Sequence, residues 1–230
     1  MVSAALLVID LEKAFVLPGS PFEVKGALKT IPNCKKVIEA SRSHGIPVIY
    51  VKRLYRGDGS DVELVRINQW LSAGMPLTAD STGLLSAEYV DEIKPQPEDY
   101  LIVKKRFSAF FMTELDLLLR RLGVDVLAII GTQTPNCVRA TVYDALSLDY
   151  EVIIVEDCAS SQDEETQRAN IKDLRNLGCT IISSDEYVRS LPNLPSKKLL
   201  KKAREVLKSK AKLPHDLVDV DGKRAVLDRW

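Results

Sequence analysis

The 230-residue sequence has no net charge, few cysteines and no long apolar run, and each of these features excludes some classes of protein. The balance of 32 basic and 32 acidic residues provides no global attraction to nucleic acid or to a membrane surface. The four cysteines, Cys34, Cys137, Cys158 and Cys179, form no CxxC pair and no disulfide framework, so we expect a cytoplasmic location. The apolar stretch at the N-terminus is too short to span a membrane and predicts a first strand.

Short apolar runs alternate with segments of helical period along most of the chain. The runs are rich in Val and Ile, as strands buried on both faces should be, at Ala4–Ile9, Ile46–Val51, Tyr100–Val103, Val126–Ile130, Val152–Val155 and Thr180–Ile182. Helical segments fall near Ile31–Ser43, Thr113–Leu122, Asn136–Leu148 and Glu164–Leu177. This alternation implies right-handed crossovers. The sequence therefore predicts an α/β fold, a doubly wound and mostly parallel six-stranded sheet with helices on both faces.

The composition changes after Leu191. Two prolines lead into a lysine-rich stretch, Lys197–Lys212, whose apolar residues recur at helical spacing. We therefore predict a domain over residues 1–191 and a basic C-terminal helical tail over residues 192–230. The tail is interpreted either as a solvated helix that packs on its own domain or on a sister subunit, or as an anion-binding segment.

Reactive side chains follow three of the predicted strands. Asp10 ends the first strand, Lys104 and Lys105 end the third, and Cys137 follows the fourth through the turn "GTQTPN". Because ligands bind outside the carboxyl ends of parallel strands, we expect these groups to meet at one edge of the sheet. Each alone has an ordinary structural explanation, as a helix cap, a surface lysine or a buried thiol. The occurrence of all three at one edge of the sheet favours a functional site.

These residue types suit acyl transfer from an amide. A thiol is only slightly ionised at neutral pH and needs a proton acceptor, which Asp10 provides. The same acid then delivers the proton to the departing amine, while Lys104 holds Asp10 in place. Backbone N–H groups of the turn before Cys137 are candidate donors to the developing oxyanion.

Three stretches carry a resemblance to a known family: "LLVIDLEKAF" (6–15), "VKKRFSAFFMTELDLLLRRLGVDVLAIIGTQTPNCVRATVYDAL" (103–146) and "YEVIIVEDCASS" (150–161). The sequence resembles the isochorismatase-like cysteine hydrolases, a superfamily that includes nicotinamidases and related amidohydrolases. The resemblance implies a catalytic triad of Asp10, Lys104 and Cys137. Lys104 rather than Lys105 matches, because the family lysine lies four residues before the serine of the "SAF" motif. It also implies a cis peptide between Thr132 and Gln133, with the N–H groups of Gln133 and Cys137 as oxyanion donors.

The sequence departs from the family pattern in two places. The first-strand motif Asp-x-Gln-x-Asp-Phe becomes Asp10-Leu-Glu12-Lys-Ala14-Phe15, which changes the polarity around the pocket. Metal-dependent nicotinamidases place an Asp/His cluster after the second strand, but the corresponding segment here contains no histidine. His44 and His215, the two histidines of the chain, lack metal-ligand spacing. We therefore expect no metal and no cofactor.

Several side chains are candidates for substrate binding, although each also has a plain structural explanation. They are Arg53 and Arg139, for a carbonyl or carboxylate, and Phe15, Tyr55, Trp70 and Phe107, for an aromatic wall. The leading hypothesis is a cysteine hydrolase that cleaves a C–N bond of a small-molecule amide or ureide through a thioester. The alternatives are a vinyl-ether hydrolase that uses only the acid, and an idle scaffold with an anion-binding tail. We also expect a homo-oligomer, as is common in the family.

Overall fold

The computed structural model describes residues 4–209. Six strands form the sheet: β1 Ala4–Ile9, β2 Val48–Arg53, β3 Tyr100–Lys104, β4 Val126–Thr132, β5 Glu151–Ser160 and β6 Thr180–Ile182. The helices are α1 Lys13–Val16, α2 Ala27–Ser43, α3 Ile67–Ser72, α4 Leu115–Arg121, α5 Arg139–Ser147, α6 Glu164–Asn176, α7 Ser184–Ser190 and α8 Leu199–Ser209. Short 3-10 turns occupy Gly83–Leu85 and Asp91–Ile93, and a π-helical turn, Thr134–Val138, leads into α5.

The strand order is β3-β2-β1-β4-β5-β6, and every neighbouring pair is parallel. The chain builds the sheet outward from β1 to β3, then returns to the other side of β1 with β4. The carboxyl ends of β1 and β4 therefore flank the point where the winding direction reverses, which is where open α/β sheets bind ligands. The predicted doubly wound α/β fold is confirmed. The described part of the sheet is wholly parallel, and α1, α3 and α7 are additions to the predicted helices.

The core lies in two layers, one on each face of the sheet. Side chains of β1 alternate between them, since Leu6 and Val8 join the layer under α2, whereas Leu7 and Ile9 join the layer under α4 and α5. All four side chains are fully buried. This two-sided burial explains why β1 is apolar at every position instead of alternating with polar residues.

Gly131 brings the carboxyl ends of β1 and β4 into close contact. It pairs with Ile9 in the sheet and has a φ of +119°, a conformation that side-chain-bearing residues rarely adopt. A Cβ at this position would lie 2.0 Å from the carbonyl oxygen of Ile9. A glycine is therefore required for the turn after β4 to approach Asp10, the residue that follows β1.

The chain divides into a unit that ends at Pro195 and a second one that begins at Ser196. The described part of the second unit contains α8, which falls within the helix predicted from the lysine-rich stretch. The remainder of the predicted tail, from residue 210 onward, lies outside the described residues. Among the helices that are described, none is both long enough and apolar enough to cross a membrane.

Candidate active site

Asp10, Lys104 and Cys137 meet at the carboxyl edge of the sheet. The Lys104 ammonium donates to Asp10 Oδ2 over 2.7 Å and to the carbonyl oxygen of Arg106 over 3.2 Å. Both side chains of the ion pair are essentially inaccessible to solvent. Lys105 points elsewhere, since its ammonium contacts Asp61 at 3.0 Å and the carbonyl oxygen of Leu54. The lysine that reaches Asp10 is thus the one that the family pattern indicates.

Cys137 lies in the π-helical turn that joins β4 to α5. Thr141 fixes this turn, because its hydroxyl donates to the Cys137 carbonyl over 2.7 Å and accepts from the backbone N–H of Ala109 over 3.0 Å. Burial raises the pKa of the Cys137 thiol, and the neighbouring Asp10 carboxylate raises it further. Lys104 and Arg53 act in the opposite direction. At neutral pH the resting thiol therefore keeps its proton, and a nucleophile at this position needs a base.

Asp10 is the candidate for that base. Its Oδ2 atom is held by Lys104, whereas its buried Oδ1 atom has no hydrogen-bond partner among the described residues. The residue has a φ of +49°, an uncommon conformation for a side chain other than glycine. An unsatisfied carboxylate oxygen beside a thiol provides an acceptor for the thiol proton.

Arg53 ends β2 and donates to the Cys137 sulfur over 3.2 Å. Its guanidinium is otherwise held by the protein: Nη1 donates to Tyr55 over 2.8 Å and to Glu63, and Nη2 donates to the Arg106 carbonyl over 3.0 Å. Arg53 and Glu63 are both buried. Burial alone would raise the pKa of Glu63, but the Arg53 charge and the Tyr55 hydroxyl hold that pKa below its ordinary value. Arg53 is thus a cation with a fixed orientation toward the thiol.

Glu12 lies two residues after Asp10 and is fully buried. One carboxyl oxygen accepts from the backbone N–H of Arg53 over 2.5 Å, and the other has no partner among the described residues. Burial, followed by repulsion from Asp10, raises the pKa of Glu12 to about 8. At neutral pH this residue is mainly a neutral acid, and it offers one acceptor and one donor oxygen much as glutamine offers a carbonyl and an amide.

The turn before the cysteine has the conformation expected from the family resemblance. The peptide between Thr132 and Gln133 is cis. Gln133 lines the same cavity as Cys137, and its side chain accepts a hydrogen bond from Asn136. The backbone N–H groups of Gln133 and Cys137 are therefore retained as the candidate oxyanion donors.

A cavity of about 400 Å³ opens over the thiol. Of the predicted site residues, its walls include Asp10, Phe15, Arg53, Phe107, Gln133 and Cys137. Its size suits a small molecule. Asp10 and the thiol lie together in its wall, so a substrate in the cavity is within reach of both groups.

Three of the predicted substrate-binding residues lie outside the cavity wall. Tyr55 is buried, and its hydroxyl donates to Glu63 over 2.5 Å, so it supports the Arg53 network. Trp70 is buried against Tyr55, and its indole N–H donates to the carbonyl oxygen of Pro76 over 2.8 Å. Arg139 pairs with Asp173 at 2.7 Å on the α5–α6 side. We therefore exclude these three side chains from the proposed substrate contacts.

Other residues of the cavity wall are not predicted by the sequence patterns. Arg66 and Gln69, around the start of α3, and Phe22 and Glu23, before α2, all line it. The segment that contains Arg66 has no regular apolar period that would orient its side chains, so its sequence does not single out Arg66. Arg66 packs on the ring of Phe107, but the two residues are 41 positions apart, so the sequence alone does not show that they meet.

The carboxylates of the segment after β2 are already engaged within the protein. Asp58 accepts from Ser60, Asp61 accepts from the backbone of Arg56, and Glu63 pairs with Arg53. Residues 4–209 contain no group of three or more His, Cys, Asp or Glu side chains arranged to hold a metal ion. This donor set does not fit a nicotinamidase-type metal site, and we derive no chemical step through a metal.

Comparison with known proteins places this chain in a family. The isochorismatase domain model matches residues 4–186. A protein of Arabidopsis thaliana named "Probable inactive nicotinamidase" is 41% identical over 192 residues, which are 82% of this chain and 96% of that protein. N-carbamoylsarcosine amidase of an Arthrobacter species is 31% identical over 191 residues, 83% of this chain and 72% of that enzyme. An isochorismatase family protein from Desulfovibrio vulgaris superposes with a TM-score of 0.77 at 39% identity, covering 84% of this chain and 98% of that one.

The parallel sheet, with an acid, a lysine and a thiol at its switch point, is the arrangement that the sequence resemblance implied. The chain belongs to the isochorismatase family of hydrolases, as its sequence motifs indicated.

Proposed function

We propose that the protein is a cysteine hydrolase that cleaves the C–N bond of a small amide or ureide through a thioester. The observation that carries the proposal is the arrangement of Asp10 between the Lys104 ammonium and the Cys137 thiol, at the wall of a small-molecule cavity. The similarity to N-carbamoylsarcosine amidase supports this chemistry.

The reaction proceeds in two acyl transfers. Asp10 accepts the thiol proton as the Cys137 sulfur attacks the substrate carbonyl carbon, and the carbonyl oxygen becomes an oxyanion facing the N–H groups of Gln133 and Cys137. Asp10 then gives the proton to the departing nitrogen, and the C–N bond breaks to leave a thioester. Water attacks the thioester with Asp10 again as base, and the proton returns to sulfur as the acid product leaves.

Arg53 has a distinct role in this scheme. Its remaining charge-assisted hydrogen bond is directed at the sulfur, so it stabilises the negative charge that forms there when the proton moves to Asp10. Glu63 and Tyr55 act through Arg53 by holding its guanidinium in this orientation. Arg53 thereby partly offsets the unfavourable effect of burial on the thiol.

The test is ammonia release from a panel of small amides and ureides that includes nicotinamide. We expect turnover of at least one member by the wild-type protein, loss of that turnover in Cys137→Ala, and retention in the matched control Cys179→Ala. Iodoacetamide should label Cys137 ahead of the other three cysteines. Equal labelling of all four thiols in the native protein contradicts the proposed nucleophile.

The same variants separate the two alternative functions. A vinyl-ether hydrolase that needs only the acid keeps its activity in Cys137→Ala and loses it in Asp10→Asn. An idle scaffold turns over no member of the panel. This alternative should be tested directly, because the Arabidopsis relative is named as probably inactive.

We also propose that the protein works in the cytoplasm as a homo-oligomer. None of the four cysteines, all of which lie in the described part of the chain, forms a disulfide, which suits a reducing compartment. Leu64, Val65 and Met112 are more than four-fifths exposed, and such apolar side chains favour burial between subunits. Sedimentation analysis of the full chain and of a chain ended at Leu191 tests the assembly and the part that the tail plays in it.

A further inference from the structure

We infer that Arg66 binds a carboxylate of the substrate, so that the natural substrate is a small amide or ureide that also carries an acid group. This inference rests on the proposed function and refines its substrate class. Arg66 precedes α3, and its side chain lines the cavity that contains the Cys137 thiol.

The backbone of Arg66 is firmly held. Its N–H donates to the Glu63 carbonyl over 2.8 Å, and its own carbonyl accepts from the Trp70 N–H over 2.8 Å, within the first turn of α3. Because Trp70 is fully buried, this turn is anchored in the core. The position of Arg66 at the cavity wall is therefore set by the fold.

The guanidinium of Arg66 is oriented but unpaired. It lies over the ring of Phe107, 5.1 Å from the ring centroid, and Phe107 lines the same cavity. Among residues 4–209 it forms no ion pair and no side-chain hydrogen bond, although it is only partly exposed. Stacking on an aromatic ring holds a guanidinium plane while leaving its edge of N–H donors free.

The other charged groups of the cavity are already committed. Arg53 uses its terminal nitrogens on Tyr55, Glu63, the Arg106 carbonyl and the thiol. Asp10 is paired with Lys104, and Glu23 is paired with Lys25 at 3.2 Å. Arg66 is thus the cation of the cavity wall that lacks an internal anion. A planar fork of donors that faces a small cavity matches a carboxylate in geometry and in charge.

Two alkylating reagents of similar size but different charge provide a test. Iodoacetate carries a carboxylate and iodoacetamide does not, and both react with a thiol. We expect Arg66→Gln to slow alkylation of Cys137 by iodoacetate by about tenfold, the value of a charge-assisted hydrogen bond, and to change the iodoacetamide rate by less than about twofold. Arg66→Lys should slow the reaction with iodoacetate less, because lysine keeps the positive charge but lacks the paired N–H donors of the guanidinium. The control Arg56→Gln, an exposed arginine paired with Asp58 outside the cavity wall, should change neither rate.

The outcomes separate this inference from the proposed function. An equal fall for both reagents in Arg66→Gln, or no change for either, overturns the carboxylate site.

If Cys137 reacts with neither reagent, the nucleophile assignment fails. Calorimetric binding of N-carbamoylglycine to wild type and Arg66→Gln then decides, and equal affinity overturns the inference. If turnover is found, Arg66→Gln should lower kcat/KM for N-carbamoylglycine but not for the neutral ethylurea; an equal loss would leave the hydrolase assignment standing and refute the role of Arg66.

Discussion

The buried Arg53–Glu63 pair gives the most direct test of how the thiol is activated. Replacement of Arg53 alone would leave Glu63 as an uncompensated buried charge, which typically costs about 3–5 kcal/mol of stability. We therefore choose the double variant Arg53→Met with Glu63→Gln, which keeps side-chain volume and leaves the Tyr55 hydroxyl a hydrogen-bond partner. Arg53 donates to sulfur over 3.2 Å in a fully buried site.

The magnitude follows from the hydrogen bond that is lost. A bond of this kind to a charged group is worth about 1.5–3 kcal/mol, and one unit of pKa corresponds to about 1.4 kcal/mol. The apparent pKa of the Cys137 thiol should therefore rise by about one to two units. At a fixed pH below that pKa, alkylation by iodoacetamide should slow by about 10- to 100-fold.

The assay is the pH profile of Cys137 alkylation, followed by mass spectrometry, with the melting temperature measured alongside. Arg56→Met serves as the control, since that arginine is exposed. A double variant that is folded and has an unchanged pH profile would refute the role of Arg53. Such a result would leave Arg53 as a structural counterion of Glu63.

Three further predictions follow from the same geometry. Asp10→Asn should slow turnover by at least about 100-fold and should also slow alkylation, because the thiol loses its proton acceptor; alkylation at the wild-type rate contradicts this. Activity should survive exhaustive EDTA treatment, and loss of turnover that zinc or manganese restores would show that metal ligands exist elsewhere. Glu12→Gln should gain stability relative to wild type as pH rises from about 4.5 to about 8, because over that range folded Glu12 keeps a proton that the unfolded chain has released. A constant difference in melting temperature across this range would show that Glu12 is ionised in the fold.

The sequence predicted the features that depend on regular patterns. The strands β1 and β4 are continuous apolar runs, and this pattern fixed both the parallel sheet and the edge at which Asp10 and Cys137 meet. The choice of Lys104 over Lys105 came from family resemblance, because both residues follow the same strand and spacing alone does not distinguish them. The structure supplies the reason, since Lys104 is in register with Arg53 and is buried with it.

The cavity wall was harder to predict because it consists of irregular segments. The aromatic character of Tyr55 and Trp70 is typical of a pocket wall, but side chains of this size also fill the core. Here Tyr55 holds Arg53, and Trp70 anchors α3 in the core. Arg66 cannot be predicted in the same way, because no local sequence pattern orients its side chain toward the cavity. Its contact with Phe107 joins the segment after β2 to the segment after β3, which lie side by side because those two strands pair.

The substitution at position 12 shows how the buried charges of the site limit one another. Asp10 pairs with Lys104 and Glu63 pairs with Arg53, so these four groups already balance in charge. An ionised Glu12 would add an unpaired negative charge beside Asp10 in a region without solvent, and its pKa rises accordingly. The neutral acid accepts from the Arg53 backbone with one oxygen and has a proton to donate with the other, which are the capacities of the glutamine in the family motif. Below about pH 8, Glu12 therefore retains the bond to the Arg53 backbone and the donor capacity of the glutamine in the family motif.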